Sequence, residues 1–128
     1  MNITIKKTDS TFFSDTARDN GVEDYHYFDI IADGVKVGST EVVDGFNEDN
    51  DIAYIDRIDI DEAYRGKGIG STVLTECLKD EGYYNVVVAP DNEDAKRLYE
   101  RLGEECSTIY GCDCDFSYND QGYGVYAI

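Results

Sequence analysis

The segment from residue 52 to residue 103 constrains the fold more than any other part of this 128-residue sequence. Ile52–Ile60 reads as a strand, with Ile52, Tyr54, Ile58 and Ile60 at one parity. The glycine-rich stretch AYRGKGIGST follows at residues 63–72, and Val86–Ala89 is a short apolar run typical of a buried strand. Helical patterns follow each strand. This order predicts a central βαβα unit.

The two helical patterns have clear apolar stripes and clear ends. The first stripe ends before Gly82 and consists of Ile69, Val73, Leu74, Cys77 and Leu78. The second helix follows Pro90, with Asp91 or Asn92 as its N-cap and Gly103 as its end. Its stripe consists of Ala95, Leu98, Tyr99 and Leu102.

Strand patterns flank this unit on both sides. A hairpin is predicted from Tyr25–Ala32 and Val35–Val43, because Asp33-Gly34 suits the positive φ angles of a tight turn. The remaining predictions are a strand over Asn2–Lys6, a short helix or loop over Ser10–Asn20, and closing strands over Thr108–Tyr118 and Tyr123–Ile128. We therefore expect a single domain over residues 1–128, with an α/β fold and a mixed sheet.

The charge balance limits the partners of the chain. Twenty-eight acidic residues against 11 basic ones give a formal net charge of -17. Such a surface repels nucleic acid and anionic membranes and suits a cationic partner. Solubility or adaptation to salt explains scattered surface acids equally well. An acidic interaction protein that binds a basic partner is therefore one alternative function.

No apolar run is long enough to span a bilayer, and the first residues, MNITIKKTDS, lack the apolar core of a secretory signal. We therefore expect a cytoplasmic protein with reduced thiols and no membrane association. The four cysteines, Cys77, Cys106, Cys112 and Cys114, lack the spacing of a zinc site, so no metal is predicted. Cys112-x-Cys114 is the one pair that merits a test. The sequence leaves open whether the chain forms a homodimer.

The glycine-rich stretch places Arg65 and Lys67 immediately before a helix in this acidic chain. Unpaired N–H groups at a helix start attract phosphate, and glycines let phosphate oxygens approach the backbone. A P-loop is excluded, because Gly66-Lys67 precedes Gly68 and Asp61 stands where the first glycine belongs. The dinucleotide pattern also fails at Ser71. A simple connecting turn is the remaining alternative.

Two stretches in this segment resemble motifs of the GNAT superfamily of acetyl-coenzyme A dependent N-acetyltransferases. RIDIDEAYRGKGIGSTVL is similar to motif A, in which Arg65, Gly68 and Gly70 fill the signature. NEDAKRLYERLGEE is similar to motif B, matched at Asn92, Ala95, Leu98, Tyr99 and Gly103. Glu62 stands where motif A often has proline. The resemblance implies a mostly antiparallel sheet that splays between strands 4 and 5.

The same resemblance implies a cofactor, acetyl-coenzyme A, and its binding residues. Backbone groups of Ile58 and Ile60 would pair with the pantetheine arm, Asn92 would bond to it, and residues 65–71 would enclose the pyrophosphate. The full set implied for the cofactor is Ile58, Asp59, Ile60, Arg65, Gly66, Lys67, Gly68, Ile69, Gly70, Ser71 and Asn92. A coenzyme A binding module without catalysis is the second alternative function.

The resemblance also assigns Tyr99 as the general acid that protonates the departing thiolate. A phenol of pKa about 10 is neutral at pH 7 and can donate this proton, although a packed aromatic side chain fits the position equally well. Asp56, which shares the parity of Tyr54, is the first candidate for the general base, with Asp59 and a water relay as rivals. The expected acceptor is a cationic primary amine: a polyamine, an aminoglycoside-like amine, or a protein lysine or N-terminus.

Overall fold

The computed structural model describes residues 1–8, 25–44, 49, 51–106 and 124–128. These residues form a seven-stranded sheet in the order β1-β2-β3-β4-β5-β7-β6. The strands are β1 Ile3–Thr8, β2 Tyr25–Ala32, β3 Val35–Val43, β4 Ile52–Ile60, β5 Asn85–Val88, β6 Glu104–Cys106 and β7 Val125–Ala127. The pair β4–β5 is parallel and the other five neighbouring pairs are antiparallel. The predicted mixed, mostly antiparallel α/β fold is confirmed.

Helical segments connect the central strands. A 3₁₀ turn over Glu62–Tyr64 precedes a helix built from α-helical Ile69–Thr72, π-helical Val73–Cys77 and α-helical Leu78–Asp80. We call this continuous helix, residues 69–80, α1, and the α-helix Glu93–Leu102 is α2. All five residues of the predicted α1 stripe are buried. None of the helices in the described parts of the chain is both long and apolar enough to cross a membrane.

The hairpin of β2 and β3 turns where the sequence predicts. Ala32 pairs with Val35, and the two residues between them, Asp33 and Gly34, have φ angles of 50° and 83°. Positive φ at both central residues matches the right-handed twist of the flanking strands. The predicted elements over residues 10–20 and 108–118 lie outside the described residues.

Strand β4 contains a bulge that corrects the predicted parity. Glu41 pairs with Arg57 and the next residue of β3 pairs with Ile55, so Asp56 is an extra residue on β4. An extra residue reverses the faces of the residues beyond it. Ile52 and Tyr54 therefore join one apolar cluster, whereas Ile58 and Ile60 pack against another. The four residues do not share a face, and Asp56 does not inherit the parity of Tyr54.

The two apolar clusters lie on opposite faces of the sheet, because neighbouring residues of one strand, Val86 and Val87, belong to different clusters. The larger cluster contains the buried face of α1 and the Tyr99 side of α2. The smaller cluster is centred on Ile52, Val87 and Val125. Both helices thus pack on one face of the sheet.

Strands β4 and β5 pair along only part of β4. The parallel register runs from Ile52 with Asn85 to Ile55 with Val88. Beyond it, β4 continues to Ile60 and pairs with β3 alone among the described residues. The sheet therefore opens beside residues 56–60, as expected for a splay between strands 4 and 5.

Helix α2 begins and ends at the predicted residues. The Asn92 Oδ1 atom accepts a hydrogen bond of 2.8 Å from the Ala95 N–H group, which caps the first turn. The helix ends at Gly103, whose N–H group donates to the Tyr99 carbonyl oxygen at 2.9 Å. Gly103 has an extended backbone with φ of -158°, which any residue can adopt. Glycine is required at this position because there is no room for a side chain: a Cβ atom would overlap the Ala127 carbonyl group.

Replacing Gly103 with alanine should therefore destabilise the fold. The added Cβ atom would lie 2.7 Å from the Ala127 carbonyl carbon and 2.9 Å from the Ile128 Cα atom, both of them backbone. Overpacking against backbone costs about 3 kcal/mol. Urea denaturation should show a loss of this size in the free energy of unfolding. Gly70→Ala is the control, because a Cβ atom at Gly70 meets no atom within 4 Å; equal stability of the two variants would contradict the prediction.

Candidate functional site

The loop between β4 and α1 depends on two glycines for its conformation. Gly66 has φ of 76° and Gly68, the N-cap of α1, has φ of 80°. Residues other than glycine rarely adopt these left-handed φ angles. The backbone therefore turns twice within three residues before the helix begins.

The same loop keeps open space beside its backbone. An added Cβ atom at Gly66, Gly68 or Gly70 would meet no protein atom within 4 Å. Gly70 does not have a positive φ, so its backbone does not require glycine. Its missing side chain leaves room that a ligand can fill, which is the property that a phosphate-binding loop needs.

The start of α1 supplies hydrogen-bond donors to this space. The Thr72 N–H group donates to the Gly68 carbonyl oxygen at 3.0 Å, which closes the first helical turn. Helix geometry leaves the N–H groups of Ile69, Gly70 and Ser71 without acceptors inside the helix. These donors, together with the helix dipole, favour an anion at this position.

A pocket of about 380 Å³ lies against the loop. Its wall combines the loop, the end of β4 and one side of α2. The lining residues are Ile60, Tyr64, Arg65, Gly66, Gly68, Ile69, Gly70, Ser71, Leu98 and Arg101. The structure thus brings together seven of the residues that the sequence assigned to the cofactor. The other four assigned residues, Ile58, Asp59, Lys67 and Asn92, are not among the lining residues.

Arg65 connects the loop to the end of β4. Its Nε atom donates to the Ile60 carbonyl oxygen at 2.8 Å. This is one of the backbone groups that the sequence assigned to a pantetheine arm, and a carbonyl oxygen has a second lone pair for a further donor. The bond uses one edge of the guanidinium group and holds the loop at the mouth of the sheet opening.

Asn92 lies at the start of α2 and Tyr99 on its buried side, and neither residue lines the pocket. Asn92 is exposed and its Oδ1 atom caps the helix. Seven residues correspond to about 10 Å along a helix, so the two side chains would contact different parts of a ligand. Tyr99 has only 6% of its surface exposed. Burial, together with the charge of Asp91, raises the pKa of Tyr99 to about 12, so its hydroxyl keeps its proton.

The carboxylates of β4 are in different surroundings. Asp56 is exposed at the bulge. The Asp59 Oδ2 atom accepts a hydrogen bond of 2.6 Å from Arg57, whose Nε atom donates to the buried Glu41 at 2.7 Å. Arg57 and Glu41 were not among the predicted site residues, because only the register of β3 and β4 shows that they are opposite each other.

Three pocket residues were also absent from the predicted site: Tyr64, Leu98 and Arg101. Leu98 and Arg101 are three residues apart on α2, so they lie on one side of the helix. This spacing was available as a signal, but the sequence alone does not show that this side of α2 faces the glycine loop.

A second polar cluster lies at the opposite end of the sheet. The Asp44 Oδ2 atom is 3.0 Å from His26 Nε2 and accepts a hydrogen bond of 2.6 Å from the Tyr83 hydroxyl group. Asp44 follows β3 beyond the pair Val43–Tyr54, whereas the pocket lies at Ile60, the other end of β4. The cluster therefore belongs to a different part of the molecule from the pocket.

Comparison with known proteins connects this geometry to a family. The model of the acetyltransferase (GNAT) family matches residues 4–103. The GNAT family acetyltransferase from Elizabethkingia anophelis, solved with acetyl-CoA bound, has a similar fold. The TM-score is 0.60 at 14% sequence identity, covering 99% of this chain and 97% of that chain.

Two curated relatives match parts of the sequence. The mycothiol acetyltransferase of Nocardiopsis dassonvillei is 31% identical over 97 residues, which are 72% of this chain and 27% of that protein. The L-2,4-diaminobutyric acid acetyltransferase of Halalkalibacterium halodurans is 28% identical over 75 residues, which are 55% of this chain and 38% of that protein. This chain thus spans less than half the length of either relative. The resemblance predicted from the two motifs is nevertheless confirmed, and the chain belongs to the GNAT family of acetyltransferases.

Proposed function

We propose that this protein transfers the acetyl group of acetyl-coenzyme A to a primary amine by direct attack of the amine. The observation that carries the proposal is the pocket where the glycine loop, the start of α1 and the opening beside residues 56–60 of β4 meet. The open Cβ positions of the loop glycines fit a diphosphate close to the backbone. Acetyl-coenzyme A would supply the activated acyl group as a thioester.

Each group of residues has a proposed role. The loop residues 65–71 would hold the diphosphate, with N–H groups at the start of α1 as donors. The backbone of residues 58–60 would bind the pantetheine arm along the open side of β4, and Asn92 would add a hydrogen bond. The Ile60 carbonyl oxygen accepts a hydrogen bond from the Arg65 side chain, so this backbone group is accessible from the loop side of β4.

The proton transfers would involve Tyr99 and Asp56. Tyr99 is protonated at neutral pH, as a general acid for the departing thiolate must be. An amine of pKa about 10.4 must lose a proton before it attacks. Asp56, which is exposed at the bulge of β4, is the proposed general base, with Asp59 and a water relay as rivals. A backbone N–H group of β4 would stabilise the oxyanion of the acetyl group.

The proposed acceptor is a cationic amine. Among the alternatives, a small molecule is favoured, because L-2,4-diaminobutyric acid, named for one relative, is a small molecule with two amines. A polyamine, an aminoglycoside-like amine and a protein lysine or N-terminus remain the classes to compare. A cytoplasmic location stays a prediction from the sequence, and the sequence leaves open whether the chain forms a homodimer.

Thermal unfolding in the presence of candidate ligands tests this function. Acetyl-coenzyme A and coenzyme A should both raise the Tm, whereas ATP should not, because only a ligand of the folded state shifts unfolding. An amine panel, followed by measurement of free thiol, should then identify the acceptor. A Tm that responds to neither form of the coenzyme would remove the proposal.

A further inference from the structure

Charge is the main obstacle to binding a phosphate-bearing carrier in this protein. The formal net charge of the chain is -17, so the surface as a whole repels an anion. The described lining of the pocket, however, contains no acidic residue, and its two charged side chains are Arg65 and Arg101. The pocket is therefore a local exception to the charge of the molecule.

The two arginines differ in how they are held. Arg65 is tied to the Ile60 carbonyl oxygen through its Nε atom. Arg101 is exposed and makes no hydrogen bond or ion pair with any residue that the structure describes. It lies in the last turn of α2 and lines the same pocket as the glycine loop.

The other cations of α2 show that this lack of a partner is selective. Lys96 pairs with Glu100 at 3.7 Å, and Arg97 pairs with Asp94. Neither Lys96 nor Arg97 lines the pocket. The helix thus pairs these two cations outside the pocket lining with carboxylates and leaves the cation in the lining without one, in a chain with 28 acidic residues.

We propose that Arg101 binds a phosphate group at the nucleotide end of the acyl carrier from the α2 side of the pocket. The inference rests on the proposed function. Coenzyme A has a diphosphate and a third phosphate on its ribose, so it offers a phosphate group beyond the diphosphate proposed for the loop. A guanidinium group can donate two parallel hydrogen bonds to phosphate, which a lysine cannot reproduce. Arg101 would therefore be a binding residue for the carrier with no part in the proton transfers.

Binding measurements on Arg101→Gln, with Arg97→Gln as the matched control, test this role. Both changes remove one positive charge from an exposed position of α2, but only Arg101 lines the pocket. Isothermal titration calorimetry should show that Arg101→Gln weakens coenzyme A binding about 10- to 100-fold, the range for a lost hydrogen bond to a charged group. The control should change the affinity less than about twofold, because Arg97 is exposed, paired with Asp94 and outside the pocket lining. Added salt should weaken binding more steeply in the natural protein than in Arg101→Gln.

Titration with dephospho-coenzyme A distinguishes the two phosphate sources. If Arg101→Gln lowers the affinity for coenzyme A but not for dephospho-coenzyme A, Arg101 binds the ribose phosphate. If it lowers both affinities equally, Arg101 binds the diphosphate. Arg101→Lys should recover part of the affinity because it keeps the charge. Equal affinities of Arg101→Gln and Arg97→Gln would overturn this inference alone. A natural protein that binds neither carrier would overturn the proposed function and, with it, this inference.

Discussion

Replacing Tyr99 with phenylalanine is expected to lower kcat by about 10²- to 10⁴-fold, the contribution of a well-placed general acid. The phenyl ring fills the same space in the larger apolar cluster, so the fold and the dissociation constant of coenzyme A should not change. The measurement is steady-state release of thiol with the fastest amine of the panel, paired with calorimetric titration of coenzyme A.

The raised pKa of Tyr99 fixes the pH range of this effect. A tyrosine hydroxyl has a pKa of about 10 in an unfolded chain, and burial raises the pKa of Tyr99 to about 12 in the folded protein. The neutral hydroxyl therefore contributes to stability below pH 10, and this contribution is lost as the pH rises through about 12. Between pH 7 and pH 10 the proposed acid stays protonated, so its ionisation should not lower kcat.

Two outcomes would contradict the assignment of Tyr99. Unchanged kcat in Tyr99→Phe would leave Tyr99 as a packed aromatic residue and move the acid to another group. Coenzyme binding by the natural protein without turnover of any amine would favour the non-catalytic binding module. Neither outcome depends on Arg101, so this experiment is independent of the phosphate test.

A graded series at Gly70, with alanine and then leucine, is expected to abolish coenzyme binding step by step. Alanine should weaken binding about 10-fold and leucine more than about 100-fold, because each side chain enters the space through which a ligand approaches the backbone. Stability should not fall, since Gly70 lies in a helix, where alanine is favoured over glycine by up to about 1 kcal/mol. Calorimetric titration and urea denaturation provide the two measurements.

Lys79→Leu is the control for the leucine step. Lys79 is exposed on the same helix and is not among the pocket residues, so this variant adds a leucine to α1 outside the site. Its affinity for coenzyme A should match that of the natural protein. Binding that survives Gly70→Leu would show that the ligand does not approach the loop, and the proposed site would have to be abandoned.

Local signals in the sequence were sufficient for the hairpin and the two helices. Asp33-Gly34 determines a turn through its own φ angles, and Asn92 caps α2 through a contact only three residues away. The buried stripe of α1 follows from helical spacing alone. These features depend on neighbours along the chain, which a sequence displays directly.

Features that depend on distant backbone could not be predicted. The bulge at Asp56 is defined by the register against β3, so the parity assigned to Ile58 and Ile60 was wrong. Gly103 was correctly predicted as the end of α2, but the need for glycine there comes from the nearby Ala127 carbonyl group, which a Cβ atom would overlap. In the site, the glycines of motif A were predicted from the sequence. Arg101 was not predicted, because the sequence does not show which side of α2 faces these glycines.

The short parallel register between β4 and β5 divides the sheet into two leaves, β1–β4 and β5–β7–β6. Among the described strands, four residue pairs join them, from Ile52 with Asn85 to Ile55 with Val88. A carrier bound along the open side of β4 would add contacts beyond the last of these residue pairs, where β4 no longer pairs with β5. Part of its binding energy would then resist separation of the leaves, because a ligand that binds only the joined form stabilises that form. Cosubstrate occupancy and the rigidity of the sheet would rise together.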